Sequence, residues 1–222
     1  MVEFFIDSAD RPRVSEMLST GLFAGVTTNP AILERSGLGS ADLPDFVAWA
    51  EDAGARRIFV QTWGPTARAL VERGQALRAL SPRVVVKVPY SPHGLAAARA
   101  LSEGGGVLVT ALHRASQATA VAATGAAYTA LFVSRIDATG RSGISEAVLA
   151  QRSLRASGSD TRVMAGSLRT PDQILELAAE GVSAVTIGPA VWDAFFDDEH
   201  TRAAVERFEQ LADPSASAAA LG

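Results

Sequence analysis

Short apolar runs alternate along the chain with longer amphipathic or alanine-rich stretches. The apolar runs are rich in valine, isoleucine and phenylalanine, which is typical of buried strands. We predict eight strands, over residues 3–6, 25–27, 57–61, 84–88, 107–110, 128–133, 162–165 and 184–187. The intervening stretches predict helices over residues 11–19, 41–52, 65–80, 94–103, 115–124, 145–156 and 171–179. Two further helical patterns, 189–196 and 201–211, follow the eighth strand.

Eight strands alternating with helices indicate an α/β fold, the (β/α)8 TIM barrel. The competing fold is a doubly wound open sheet, which would place a glycine-rich phosphate-binding turn after the first strand. The turn here reads Asp7-Ser8-Ala9-Asp10 and has no glycine. Either Ser8 or Asp10 could cap the first helix. We predict one domain over residues 1–212, including the C-terminal helix, and a disordered alanine- and serine-rich tail over residues 213–222.

The composition excludes several classes of function. The chain has 222 residues, a net charge of −4 and scattered arginines without a basic block, which argues against nucleic acid as a partner. It has no cysteine, so disulfides, thiolate metal sites and a cysteine nucleophile are excluded. No apolar stretch approaches the ~20 residues of a membrane span, and the N-terminus does not resemble a signal peptide. We therefore expect a cytoplasmic protein that binds no membrane.

The chain has a single lysine, Lys87, and it lies inside the apolar fourth strand. Burial of an ammonium group is costly, so an unpaired lysine in this position would tend to lose its proton. A neutral amine is a nucleophile toward carbonyl groups, whereas an arginine could not serve in this way. Two other interpretations are an arginine-rich composition that left one lysine by chance, and a structural ion pair with a buried carboxylate.

Polar residues cluster where the predicted strands end, and in a barrel these ends share one rim. They comprise Asp7, Thr28, Asn29, Gln61, Lys87, Thr110, Arg135, Ser167 and Arg169. The apolar Phe132 lies at the same rim, at the end of the sixth strand. The eighth strand ends in Gly188-Pro189, where we expect no side-chain chemistry. Each residue also has an ordinary interpretation: Asp7 as a helix cap, Asn29 as part of a turn, and the two arginines as surface residues.

Together these residues make chemical sense as a catalytic set. Lys87 would attack a ketone, and Asp7 would move a proton to and from the hydroxyl released on carbon–carbon cleavage. Asn29 would hold a substrate hydroxyl, and Gln61 and Thr110 would hold a water molecule. A phosphate group would suit Arg135, Ser167 and Arg169.

The chain resembles the transaldolase family, in particular its short members, which include fructose-6-phosphate aldolase. The resemblance covers nearly the whole chain and is carried by the segments 25–30 (GVTTNP), 85–89 (VVKVP), 132–137 (FVSRID) and 166–169 (GSLR). It implies a barrel with a Schiff-base lysine at Lys87 and transfer of a dihydroxyacetone unit from a ketose phosphate to an aldose phosphate, as in pentose phosphate metabolism. It also implies no metal or organic cofactor, and a pentamer or decamer assembled through the C-terminal helix.

The subtype is mixed within that family. Gln61 resembles the fructose-6-phosphate aldolases, whereas Phe132 and Arg169 resemble the transaldolases. Because phenylalanine has no hydroxyl to help protonate an enamine, we favour transfer, to an acceptor that could be an unusual sugar phosphate. The alternatives are reversible aldol cleavage and a barrel that binds sugar phosphates without catalysis.

Overall fold

The computed structural model describes residues 1–212, and its eight parallel strands close into a barrel in chain order. The predicted fold is therefore confirmed. The strands are β1 (Glu3–Asp7), β2 (Phe23–Thr27), β3 (Arg57–Gln61), β4 (Val84–Pro89), β5 (Val107–Leu112), β6 (Tyr128–Phe132), β7 (Arg162–Gly166) and β8 (Ala184–Ile187). The predicted tail, 213–222, lies outside the described residues.

Helices surround the barrel, and most of them lie where the periodicity predicts. They are α1 (Arg11–Ser19), α2 (Pro30–Arg35), α3 (Leu43–Asp52), α4 (Ala67–Arg78), α5 (Pro92–Ser102), α6 (Ala115–Ala122), α7 (Val133–Asp137), α8 (Gly143–Ala156), α9 (Pro171–Ala179), α10 (Pro189–Asp193) and α11 (Glu199–Ala212). The sequence analysis missed α2 and α7. Asn29, for which a turn was the ordinary alternative, caps α2 by accepting a hydrogen bond from the Ile32 amide. Val133, assigned to the sixth strand, begins α7.

Residues on each strand alternate between the barrel interior and the helix layer. The interior core contains Phe5, Ala24, Phe59, Val85, Leu108, Tyr128, Ala130, Met164 and Ala184. Two residues further along β1, β3 and β4 lie Asp7, Gln61 and Lys87, which therefore share the same side of their strands. Asp7, Gln61 and Lys87 therefore lie in the layer next to this apolar interior core, toward the carboxyl ends of the strands.

A charged cluster closes the opposite end of the barrel. The Glu3 carboxylate accepts hydrogen bonds from the guanidinium groups of Arg57 and, at 2.8 Å, of Arg162. The Arg162 guanidinium also lies 5.4 Å from the centre of the Tyr128 ring. Burial alone would raise the pKa of Glu3, but the hydrogen bonds and charges of the two arginines lower it. Since the Phe5 layer separates this cluster from Lys87, we interpret the cluster as structural.

The last helix, α11, buries none of its residues against the barrel. Its larger apolar side chains, Val205, Phe208 and Leu211, are 52%, 68% and 59% exposed. Within residues 1–212, no helix has the length and apolar character needed to cross a membrane.

Candidate active site

Lys87 lies inside the barrel wall on β4, with only 5% of its surface exposed. Its Nζ donates a 2.6 Å hydrogen bond to the main-chain oxygen of Thr28. It forms no ion pair with any carboxylate of the described chain, which removes the structural ion pair as an explanation. Burial lowers the pKa of Lys87 below its ordinary value of 10.5, and the negative charge of Asp7 opposes that change only in part.

Asp7 ends β1 and faces the same cavity as Lys87. It does not cap α1, because Asp10 accepts the hydrogen bond from the Arg13 amide at 3.2 Å. One Asp7 oxygen, Oδ1, instead accepts a 2.7 Å hydrogen bond from the Thr27 hydroxyl. Asp7 pairs with Thr27 in the parallel register of β1 and β2, which brings the two side chains together.

The cavity above Lys87 brings most of the predicted site residues together. The members that the sequence analysis named are Asp7, Asn29, Lys87, Phe132, Arg135, Ser167 and Arg169. Two polar residues that it missed also line the cavity, Arg35 and Thr186. Arg35 is the last residue of α2, so its position depended on a helix that was not predicted. Thr186 follows inward-facing Ala184 by two residues on β8, and this spacing was the available signal.

Three other predicted residues do not line this cavity. The Thr28 hydroxyl donates to the Phe59 main-chain oxygen at 3.0 Å, so the contact of Thr28 with Lys87 is made by its backbone. Gln61 pairs with Lys87 in the sheet but lines an adjacent apolar groove that includes Trp63. Thr110 is 3% exposed on β5 and lies within the irregularity in the pairing of β5 with β6.

Three guanidinium groups from different parts of the chain surround the cavity, and we call Arg35, Arg135 and Arg169 the cavity arginines. In the described residues none of the three forms an ion pair with a carboxylate. The Arg135 guanidinium lies 4.8 Å from the centre of the Phe132 ring, a cation–π contact that orients it. The arrangement concentrates positive charge where it is available to an anion.

Ser167 has a left-handed backbone conformation, with φ of 57°, between β7 and Arg169. Its main-chain oxygen accepts a 3.2 Å hydrogen bond from the Ser134 amide, which connects the ends of β6 and β7. A non-glycine residue in this region is strained by roughly 1–3 kcal/mol, and such strain is concentrated at functional sites. Within residues 1–212, no group of three or more histidine, cysteine or acidic side chains could hold a metal ion.

The fold and the cavity together define a class of protein. The fold is a (β/α)8 barrel, and the cavity at the carboxyl ends of its strands contains one buried lysine amine, a carboxylate and several arginines that could bind an anion. The chain belongs to the Transaldolase/Fructose-6-phosphate aldolase family, whose pattern it matches over residues 4–221. This confirms the family indicated by the sequence motifs.

A relative and a solved structure agree with this assignment at different levels. The chain is 34% identical over 209 residues to a probable transaldolase of Rhodospirillum centenum, covering 93% of this chain and 89% of that one. The crystal structure of inosine 5′-monophosphate dehydrogenase from Legionella pneumophila superposes with a TM-score of 0.58 at 16% identity. That match covers 83% of this chain and 57% of the other, and it shows the barrel fold alone.

Proposed function

We propose that the protein is a Schiff-base transaldolase that transfers a dihydroxyacetone unit from a ketose phosphate to an aldose phosphate. The observation that carries this proposal is the buried Lys87 amine, whose pKa is lowered and which faces the same cavity as Asp7. A lysine with a lowered pKa is neutral more often at physiological pH, and only the neutral amine attacks a carbonyl carbon.

The proposed reaction begins when Lys87 Nζ attacks the ketone carbon. Loss of one water molecule and uptake of one proton from the solvent leave an iminium ion. Asp7 then takes the proton of the neighbouring hydroxyl, the adjacent carbon–carbon bond breaks, and its electron pair forms an enamine on Lys87. The aldose phosphate leaves. The enamine attacks the carbonyl carbon of an acceptor aldose, the protonated Asp7 returns its proton to the new alkoxide, and water hydrolyses the iminium ion.

The cavity arginines support phosphorylated substrates. Arg135 and Arg169 are the phosphate ligands that we propose together with Ser167, and Arg35 adds a third positive charge to the same cavity. Arginine suits this task because its planar guanidinium forms charge-assisted, often bidentate hydrogen bonds with phosphate.

The second candidate is reversible aldol cleavage that releases free dihydroxyacetone, and Gln61 favours it through its resemblance to that subgroup. Transfer is favoured by Phe132, which lines the cavity with a ring that carries no hydroxyl and contacts Arg135. With no phenol to order water or pass a proton, the enamine should survive long enough to meet an acceptor.

Reduction with borohydride tests the mechanism directly. Protein incubated with fructose 6-phosphate and sodium borohydride should gain a three-carbon adduct on the peptide that contains Lys87, the only ε-amine of the chain. Lys87→Arg, which keeps the charge, should gain none. An adduct confined to the N-terminal amine, or no adduct during turnover, would refute the Schiff base and leave a binding protein as the better description.

An acceptor test separates transfer from cleavage. With fructose 6-phosphate alone we expect little free dihydroxyacetone, and turnover should rise when erythrose 4-phosphate or another aldose phosphate is added. Equal release of dihydroxyacetone with and without an acceptor would replace the transferase proposal with the aldolase one.

We also propose a homo-oligomer, a pentamer or decamer, in which α11 packs on a neighbouring subunit. The support is that the apolar face of α11 is exposed on the isolated chain. The absence of a required metal or organic cofactor and a cytoplasmic location stay predictions.

A further inference from the structure

A chain of three oxygen atoms leads from Asp7 to the β8 side of the cavity. Asp7 Oδ1 accepts from Thr27 Oγ1 at 2.7 Å, and Thr27 Oγ1 lies 2.6 Å from Thr186 Oγ1. Thr27 and Thr186 belong to the two strands on either side of β1, so their hydroxyls meet across that strand inside the barrel. Thr27 is fully buried, whereas Thr186 is 7% exposed and lines the cavity.

The number of hydrogens determines the direction of these bonds. A threonine hydroxyl has one hydrogen to donate, and an ionised carboxylate can only accept. Since Thr27 donates to Asp7, the short contact between the threonines requires Thr186 to donate to Thr27. The remaining lone pairs of Thr186 are then free to accept a hydrogen bond from the cavity.

The position of the Thr186 side chain is limited by β7. A methyl group on Gly166 would lie 3.2 Å from the Thr186 Cγ2 atom, a tighter distance than ordinary packing. Glycine at this position therefore leaves room for the threonine methyl group and lets the hydroxyl turn toward Thr27. A valine at position 186 would keep nearly the same volume and lose only the hydrogen bond.

We propose that Thr186 is a positioning residue for Asp7, acting through Thr27. With Asp7 ionised, the two hydroxyls hold Oδ1 in place and leave Oδ2 to take the substrate's hydroxyl proton. The proton that Oδ2 accepts stays on Oδ2 until it returns to the new alkoxide, so the bond from Thr27 to Oδ1 and the bond from Thr186 to Thr27 keep their direction. This inference rests on the proposed function.

The test compares three variants with the unmutated protein in the transfer assay. Thr186→Val should lower kcat roughly 10- to 100-fold, the range expected when a catalytic group is misplaced, with KM changed less than about threefold. Thr186→Ser keeps the hydroxyl and should recover most of kcat. The control is Thr129→Val, which removes a buried hydroxyl on β6 that has no hydrogen-bond partner in the described chain, and it should behave like the unmutated protein.

Borohydride trapping separates the possible failures. With free dihydroxyacetone as the ketone, which needs no carbon–carbon cleavage, Thr186→Val should trap as much adduct on Lys87 as the unmutated protein, because the threonine chain ends at Asp7 and does not reach the amine. Absence of an adduct on the unmutated protein would refute the proposed function itself. A normal adduct and normal turnover in Thr186→Val would refute only the role of Thr186.

Two further outcomes bear on the inference. Thr27→Val should give the same loss as Thr186→Val, and the double variant should lose little more, as expected for residues that act in series. Fully additive losses, or equal losses in Thr186→Val and Thr186→Ser, would overturn it. If the valine variant does not fold, Thr186→Ala compared with Thr186→Ser answers the same question, since serine should exceed alanine in kcat.

Discussion

The reactivity of Lys87 provides the sharpest test of the site, and the perturbation is Asp7→Asn. Burial lowers the pKa of the amine, while the charge of Asp7 raises it and offsets part of that change. Removal of the charge should therefore lower the pKa of Lys87 further. The control is Asp10→Asn, which removes a carboxylate that caps α1 and does not line the cavity.

The expected magnitude follows from the surroundings of the two groups. An opposite charge within about 4–6 Å typically shifts a pKa by ~1–3 units. Because the Asp7 charge is the smaller of the two causes acting on Lys87, its removal should lower the pKa of Lys87 by less than burial does. A fall of one unit in the pKa of a mostly protonated amine raises its neutral fraction about tenfold. An amine at its ordinary pKa of 10.5 would be only about one part in a thousand neutral near pH 7.5.

The assay is competitive acylation of the protein with trace acetic anhydride between about pH 5 and about pH 11.5. The peptide that contains Lys87 reports one ε-amine alone, since the chain has no other lysine. The N-terminal amine serves as the internal standard. Plotted against pH, the acylation rate of Lys87 should give a midpoint below 10.5, and Asp7→Asn should move that midpoint to lower pH.

Chemical denaturation gives an independent measurement with a known sign. A lysine whose pKa is lower in the folded than in the unfolded state binds fewer protons when folded. The free energy of unfolding should therefore rise with pH between the folded pKa and 10.5. A midpoint at or above 10.5, an upward shift in Asp7→Asn, or an equal shift in Asp10→Asn would each refute the reasoning.

Four further predictions concern other parts of the molecule. Glu3→Gln should destabilise the protein at neutral pH by about 1–2 kcal/mol, measured by urea unfolding. Because the pKa of Glu3 is lowered on folding, the difference in unfolding free energy between the variant and the unmutated protein should shrink below pH 4.5. Arg35→Ala should raise KM for a phosphorylated acceptor roughly tenfold or more but hardly change KM for glyceraldehyde. The control is Arg99→Ala, which removes an exposed arginine outside the cavity lining and should leave both KM values unchanged. Phe132→Tyr should increase dihydroxyacetone release without an acceptor, by far less than the full ~10²-fold of a well-placed acid; unchanged release would contradict our reason for favouring transfer. Deletion after Asp198 should lower both the mass measured by light scattering and the melting temperature, and an unchanged mass would argue against assembly through α11.

Errors in the predicted structure were concentrated at the ends of the strands, where the site lies. The pattern of Pro30-Ala31-Ile32 was too short to distinguish a turn from a helix, although Asn29 followed by proline is a common helix start. Arg35 was missed as a result, because its approach to the cavity depends on α2. Thr186 was missed for a different reason: the expectation for β8 rested on Gly188-Pro189 at the end of the strand, whereas Thr186 lies within the strand and shares the inward face with Ala184.

The sequence by itself determined the barrel, through eight apolar runs separated by amphipathic ones, and it marked Lys87 as the one possible ε-amine nucleophile. Periodicity also specified which residues of a strand share a face. Only the tertiary structure decided which residues of different strands meet, because the stagger between strands depends on closure of the whole barrel. Thr27 and Thr186 are 159 residues apart, yet their hydroxyls are in contact. The lowered pKa of Lys87 likewise depends on how completely its neighbours exclude water, which local sequence does not determine.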